Sequence, residues 1–168
     1  MQIDLLRHAK AVEARARDFE RPLDPRGVRA ASVMGVYLAQ RGRLPELVLC
    51  SAARRTRETW EYVAAAWPEP PTAALDPELY LASAEQLLLR LRGLDDAVRR
   101  VLVIGHNPGI EDLALGLIGT GDRRSLSRMR EKFPTAALAT LEADLEKWSQ
   151  LGSGDASLGA FLLPRDLV

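Results

Sequence analysis

The chain has 168 residues, of which 47% are hydrophobic and 27% charged, and its 23 basic residues balance 23 acidic ones. That length and composition fit a single globular domain spanning residues 1–168 with a sizeable core. A formal net charge of zero argues against nucleic acid or an anionic membrane as a bulk electrostatic partner, but leaves room for a local cationic pocket. Twenty of the basic residues are arginine, so arginine number carries no message and only arginine position does.

A short apolar run at 3–6 reads as a strand covered on both faces. It ends abruptly at Arg7 and His8. The stretch from Lys10 to Arg21 is polar and irregular, with Glu13, Arg15, Arg17, Asp18 and Glu20, and reads as a surface loop bordering that strand end. Asp24 then suits an N-cap and Pro25 the first helical position. Val28, Ala31, Gly35, Leu38 and Ala39 follow at helical spacing, and Gly42 is the expected left-handed stop. The run at 47–50 is a second strand. Ser51 is expected to open a second helix with Trp60, Val63, Ala64 and Trp67 inward, ended by Pro68, Pro70 and Pro71. The segment 72–80 reads as extended or looped and carries Glu78. Ser83 and Gln86 form a capping-box pattern at the head of a third helix, with Leu87, Leu88 and Leu91 inward.

The run at 101–104 is a third strand. Asn107 as N-cap and Pro108 as first residue predict a fourth helix, with Ile110, Leu113, Ala114, Leu117 and Ile118 as its buried stripe. Residues 119–133 are polar and basic and read as loop plus a short helix. The runs at 136–141 and 158–163 predict two more strands. This order implies a three-layer α/β/α sandwich with a mostly parallel sheet. The last two strands lack a helical crossover, so they predict a hairpin and an antiparallel edge strand.

The chain holds two histidines, and each stands at the end of a strand-like run: His8 after the first, His106 after the third. The second run delivers Ser51 and then Arg54 and Arg55. If these runs lie side by side in parallel, their ends converge on one crevice at the carboxyl edge of the sheet, where open α/β folds bind ligands. A neutral imidazole is a good phosphoryl acceptor, and guanidiniums beside it neutralise the oxygens of the approaching anion. Phosphoryl transfer asks for little beyond in-line positioning and charge stabilisation. Arg7, His8, Arg55 and His106 supply both, and the helix starting at Pro108 adds its positive dipole end. No metal is expected: such a site needs three or four ligands, and arginines would repel a cation. Ser51 lacks a G-x-S-x-G elbow, and no P-loop or G-x-G-x-x-G is present.

These residues carry a resemblance. Leu-Arg-His-Ala at 6–9, the segment Ser-Ala-Ala-Arg-Arg-Thr-Arg-Glu-Thr at 51–59 and Gly-His-Asn-Pro-Gly at 105–109 resemble the three signatures of the histidine phosphatase superfamily, the phosphoglycerate-mutase-like fold. The short length and Arg-Pro-Leu-Asp-Pro-Arg-Gly at 21–27 resemble its small SixA-like branch of phosphohistidine phosphatases. The resemblance implies His8 as the phosphorylated nucleophile, Arg7 as its clamp, His106 as the second histidine, and Arg55 rather than Arg54 as the helix arginine. It implies no cofactor. Ala9 and Ala52 depart from the family's frequent glycine and proline. Larger members carry an acidic proton donor, for which Glu78 is the candidate here. Arg21 and Asn107 are candidate substrate-binding residues.

The leading reading is a phosphatase acting on phosphohistidine of a protein, with a small phosphomonoester as the alternative. Few insertions are present to build a lid, which predicts an open site. A mutase, or an idle phosphohistidine-binding scaffold, fits less well, since all four core residues are present. Cys50 lies in an apolar run and has no partner for an internal disulfide. No signal peptide or run of about 18 apolar residues is seen, so the expectation is a cytoplasmic protein without a membrane partner.

Overall fold

The computed structural model describes residues 1–13, 17–42 and 44–168. Its centre is a seven-stranded sheet: β1 (Gln2–Arg7), β2 (Leu47–Ser51), β3 (Ala73–Asp76), β4 (Arg100–Gly105), β5 (Ile118–Gly121), β6 (Leu138–Ala143) and β7 (Ala156–Leu162). The spatial order is β3-β2-β4-β1-β6-β7-β5. β1 to β4 pair in parallel, β6 runs antiparallel to both β1 and β7, and β5 pairs parallel to β7. The helices are α1 (Pro25–Gln40), α2 (Arg54–Ala64), α3 (Ala84–Arg92), α4 (Gly109–Leu117) and α5 (Arg123–Glu131).

Side chains alternate across each strand, and both faces are covered, as a parallel sheet requires. Leu6, Val48, Cys50, Leu102 and Ile104 share one core with Met34 and Leu38 of α1 and Trp60 and Val63 of α2. Ile3, Leu5, Leu49, Val101 and Val103 share the other with Leu91 of α3, Ile110 of α4 and Met129 of α5. Each fully buried aliphatic side chain contributes about 1.5–3 kcal/mol. The three-layer α/β/α arrangement is the one expected. The antiparallel strand, however, lies inside the sheet rather than at its edge. β7 folds back beside β6, and β5 adds a further strand outside it, so the edges are β3 and β5.

Several element boundaries follow from single residues. The Asp24 carboxylate accepts from the Gly27 N–H at 2.7 Å and caps α1, and Gly42 leaves that helix with φ +67°. Ser83 and Gln86 form the expected capping box on α3. Two starts differ from expectation. β2 runs through Ser51, and α2 begins at Arg54 behind Ala53, with no side-chain cap. α4 begins at Gly109 with Pro108 at the N-cap, and Asn107 lies before it. Trp67 lies beyond the end of α2 yet is buried, its Nε1–H donating to the Gly35 carbonyl at 3.0 Å. Gly35 is needed there: a Cβ on it would meet the Val63 carbonyl oxygen at 2.4 Å.

Asp4 interrupts the apolar run of β1. It is buried, and accepts from Arg41 at 3.0 Å, Thr140 at 2.6 Å and Gln2 at 2.9 Å, so its charge is paired. Among the described residues no helix is long and apolar enough to cross a membrane. Within the loop after β1, residues 14–16, with Arg15, lie outside the described residues. Arg7 pairs with Gly105 and Cys50 with Ile104 in register, so β1, β2 and β4 end together at one edge.

Candidate active site

That edge carries both imidazoles. Their ring centroids are 5.3 Å apart, and His8 and His106 are 8% and 3% exposed. His8 is fixed by its backbone N–H to the Gly105 carbonyl at 2.9 Å. Its Nδ1 lies 2.7 Å from the Ala9 carbonyl, which can only accept, so Nδ1 carries the proton and Nε2 the lone pair. The Ala9 N–H in turn donates to Thr59 Oγ1 on α2 at 3.0 Å. Burial, reinforced by the charges of Arg55, Arg7 and Arg21, pushes the His8 pKa down to about 4 despite the Ala9 hydrogen bond. The ring is therefore neutral at pH 7, with a free electron pair on Nε2.

Arg55 is 2% exposed, on the first turn of α2. Its Nη2 donates to His106 Nδ1 at 3.2 Å, since a guanidinium has nothing to accept with. His106 must then carry its proton on Nε2 and donate it to Ser51 Oγ at 2.8 Å. Ser51 thus serves as the acceptor that fixes the His106 tautomer. Burial, with the charges of His8, Arg55 and Arg7, pushes His106 down to about 3. Arg54, the preceding residue, points outward and pairs with Glu58 at 2.7 Å, on the side that the family resemblance implied.

Arg7 donates from Nη1 to the Phe133 carbonyl at 2.9 Å, and its backbone carbonyl accepts from the Ala136 N–H at 3.1 Å. The Nε atoms of both Arg7 and Arg55 are buried N–H donors without a protein partner. Orphaned donors of this kind are rare and call for an explanation such as a bound ion. Asn107 spends its amide protons on Glu111 at 2.8 Å and on the Phe133 carbonyl at 3.0 Å. It offers an anion only an acceptor oxygen, and its position is that of a brace beside Arg7.

Glu78 is not brought to the imidazoles. It sits on the turn Pro77–Leu79 and lines a surface pocket with Asp76, Gln86 and Arg90 on the α3 side. Leu79 is the buried residue of that turn, which faces Glu78 outward. Tyr80 enters the site instead. Its ring meets His106 edge-on at 5.5 Å and lies 5.8 Å from the Arg55 guanidinium carbon. A Cβ on Gly109 would come 1.9 Å from the Ala82 carbonyl oxygen, so only glycine lets α4 approach this segment.

Asp18 was not singled out by the sequence. Its carboxylate accepts from Arg55 Nη2 at 3.1 Å, from Arg21 at 2.8 Å and 2.9 Å, and from the Tyr80 hydroxyl. Nothing in the sequence distinguishes it from the other loop charges. Asp18, Tyr80 and Phe19, whose ring meets Tyr80 at 5.0 Å, cover an edge expected to be open. Among the described residues no three of His, Cys, Asp and Glu come together as a metal-holding group.

The arrangement matches known proteins. No family model matches the chain. An uncharacterised protein of Mycobacterium leprae is 35% identical over 166 residues, covering 95% of this chain and all of that one. The structure of a protein provisionally named phosphohistidine phosphatase SixA from Nakamurella multipartita superposes with a TM-score of 0.80 at 31% identity, covering 97% of this chain and 95% of that one. The protein histidine phosphatase SixA complexed with tungstate gives a TM-score of 0.81 at 26% identity over the whole of both chains. With its fold superposing on these proteins over nearly all their length and about 30% of its residues identical to two of them, the chain belongs to the histidine phosphatase superfamily, in its SixA-like branch, and is a phosphatase.

Proposed function

We propose that the chain dephosphorylates phosphohistidine on a protein, through a covalent phosphohistidine intermediate on His8. The observation that carries this reading is the state of His8: neutral, oriented by the Ala9 carbonyl, with its Nε2 lone pair free beside guanidiniums that retain unpartnered N–H donors. The Nε2 electron pair attacks phosphorus, and the bond to the leaving nitrogen or oxygen breaks. Arg7 and Arg55 hold the equatorial oxygens. A bound dianion draws Arg55 off His106 Nδ1 and raises the proton affinity of that nitrogen, which takes a proton from solvent and donates it to the phosphoryl oxygen while Nε2–H stays on Ser51. Water hydrolyses the intermediate.

The substrate class rests on the leaving group. Among the described residues no carboxylic acid stands ready to protonate an alkoxide: Glu78 faces another pocket, and Asp18 is held ionised. A departing imidazole is readily protonated and needs little such help. The names of the SixA relatives point the same way. Action as one domain in the cytoplasm belongs to the same proposal, supported by the continuous sheet and the buried, unpaired Cys50.

The test compares turnover of a phosphohistidine protein, free phosphohistidine, an aryl phosphate and an alkyl phosphate, with trapping of the phosphoenzyme. The phosphohistidine protein should be the best substrate, and His8→Ala should lose turnover and the acid-labile phosphoenzyme together. A phosphoenzyme persisting in His8→Ala refutes the mechanism. Faster turnover of a small ester refutes the substrate.

A further inference from the structure

Asp18 is oddly placed for a residue of ordinary structural use. Its side chain is 45% exposed, on the short turn Asp18–Glu20, yet it draws together groups from three separate parts of the chain. Arg55 donates from Nη1 to the Asp18 backbone carbonyl at 2.8 Å and from Nη2 to its carboxylate at 3.1 Å. Arg21 donates from Nε at 2.9 Å and Nη2 at 2.8 Å to the other carboxylate oxygen, and from Nη1 to the Val12 carbonyl at 3.0 Å. All three Arg21 nitrogens are therefore engaged. Tyr80, packed on His106, gives its hydroxyl proton to the same carboxylate.

A phosphoryl dianion beside His8 asks for these same guanidinium protons. Arg21 can turn its fork toward a phosphate only by letting Asp18 go. If Asp18 stayed, its charge would oppose the incoming anion. The two imidazoles, 8% and 3% exposed, are also covered while this cluster is closed.

We propose that Asp18 is a resident anion: its carboxylate occupies Arg21 and Arg55 in the empty site and competes with the phosphoryl group for them. The inference rests on reading this pocket as a phosphoryl site. Phosphate entry exchanges a monoanion for a dianion at the same donors and releases the Tyr80 hydroxyl from Asp18 to solvent. Departure of phosphate lets Asp18 return, which limits product retention. The Tyr80 hydrogen bond, together with the arginines, holds the Asp18 pKa down to about 2, so the competitor is charged throughout the working range. A residue that merely braced the arginines would have the opposite signature, because losing it would weaken anion binding.

The experiment measures the dissociation constant of inorganic phosphate for the intact chain, Asp18→Asn and Tyr80→Phe, at low and high salt. Asp18→Asn keeps the size and an acceptor oxygen but removes the charge. It should bind phosphate roughly thirtyfold more tightly at low salt, since one unit charge about 4 Å from a dianion is worth about that much in a water-like dielectric, and the gain should shrink as salt screens it. Tyr80→Phe loosens the latch at its other end and should tighten binding by about two- to threefold. Equal or weaker binding in Asp18→Asn overturns the competitor role while wild-type phosphate binding leaves the proposed function standing. Failure of the wild type and both variants to bind phosphate overturns both. Tightening is not a result that a damaged fold produces.

Discussion

The two neutral imidazoles make the stability of the fold depend on pH in a calculable way. A histidine in the unfolded chain titrates near its ordinary value of about 6.5, whereas His8 and His106 are pushed to about 4 and about 3 in the fold. Between those values the unfolded chain binds more protons than the folded one, so stability rises with pH and is lost as pH falls below about 6.5. At a pH of about 5, an unfolded histidine is protonated roughly thirty to one, so each imidazole kept neutral costs on the order of 2 kcal/mol. At a pH of about 7.5 the cost is on the order of 0.1 kcal/mol. The rings lie 5.3 Å apart and titrate as a pair, which makes about 4 kcal/mol the ceiling for both. The assay is urea denaturation at the two pH values, for the wild type and for a His8→Gln, His106→Gln double variant. Carboxylates common to both proteins cancel in the comparison. The wild type should lose several kcal/mol more than the variant on acidification. Saturating phosphate should shrink that loss, because a dianion in the site favours the imidazolium. Equal losses in the two proteins would show that the histidines are not held neutral and would remove the argument for a free Nε2 electron pair on His8.

Two further outcomes test single contacts. Ser51→Ala leaves the His106 Nε2–H buried without its acceptor, which should cost about 1–3 kcal/mol in denaturant titration. It should also lower kcat about tenfold with little change in KM, whereas unchanged kcat would detach Ser51 from His106 function. Glu78→Gln should leave turnover within about twofold on phosphohistidine, aryl and alkyl substrates alike. A loss of about 10²-fold or more confined to the alkyl phosphate would restore Glu78 as a general acid.

What was legible in the sequence was what one element determines for itself. The runs holding Leu5, Leu49 and Val103 announce buried strands because both their faces are apolar. Asp24 and Ser83 announce helix starts because their side chains satisfy nearby N–H groups. Arg55 was separable from Arg54 only through the family resemblance, which places the helix arginine four residues after Ser51. β5 was hidden because Ile118 continues the apolar stripe of α4, and Gly119 and Gly121 have no side chains to alternate. α5 was faint because Met129 is the only residue it buries. The place of β6 inside the sheet depended on which strand of the β6–β7 hairpin pairs with β1, and a run of apolar residues does not say that. Asp18 and Tyr80 were illegible for another reason: they are 62 positions apart and meet only through the fold. Glu78 was a candidate because the resemblance asks for a carboxylate near there, and which residue of its turn faces inward is set by the fold, which buries Leu79 and leaves Glu78 exposed.

Cys50 is the chain's single thiol, and it lies one residue from Ser51 at the very edge that carries the histidines. It turns into the core beneath α1 and α2, and burial pushes its pKa up to about 12. Peroxide attacks thiolates, and this thiol is neither ionised nor reachable. The groups proposed for phosphoryl transfer are imidazoles and guanidiniums, which mild oxidants leave alone. A phosphatase that works as proposed should keep its turnover under mild peroxide, where an enzyme whose nucleophile is a cysteine is silenced, and a loss of turnover at such doses would speak against imidazole as the only nucleophile.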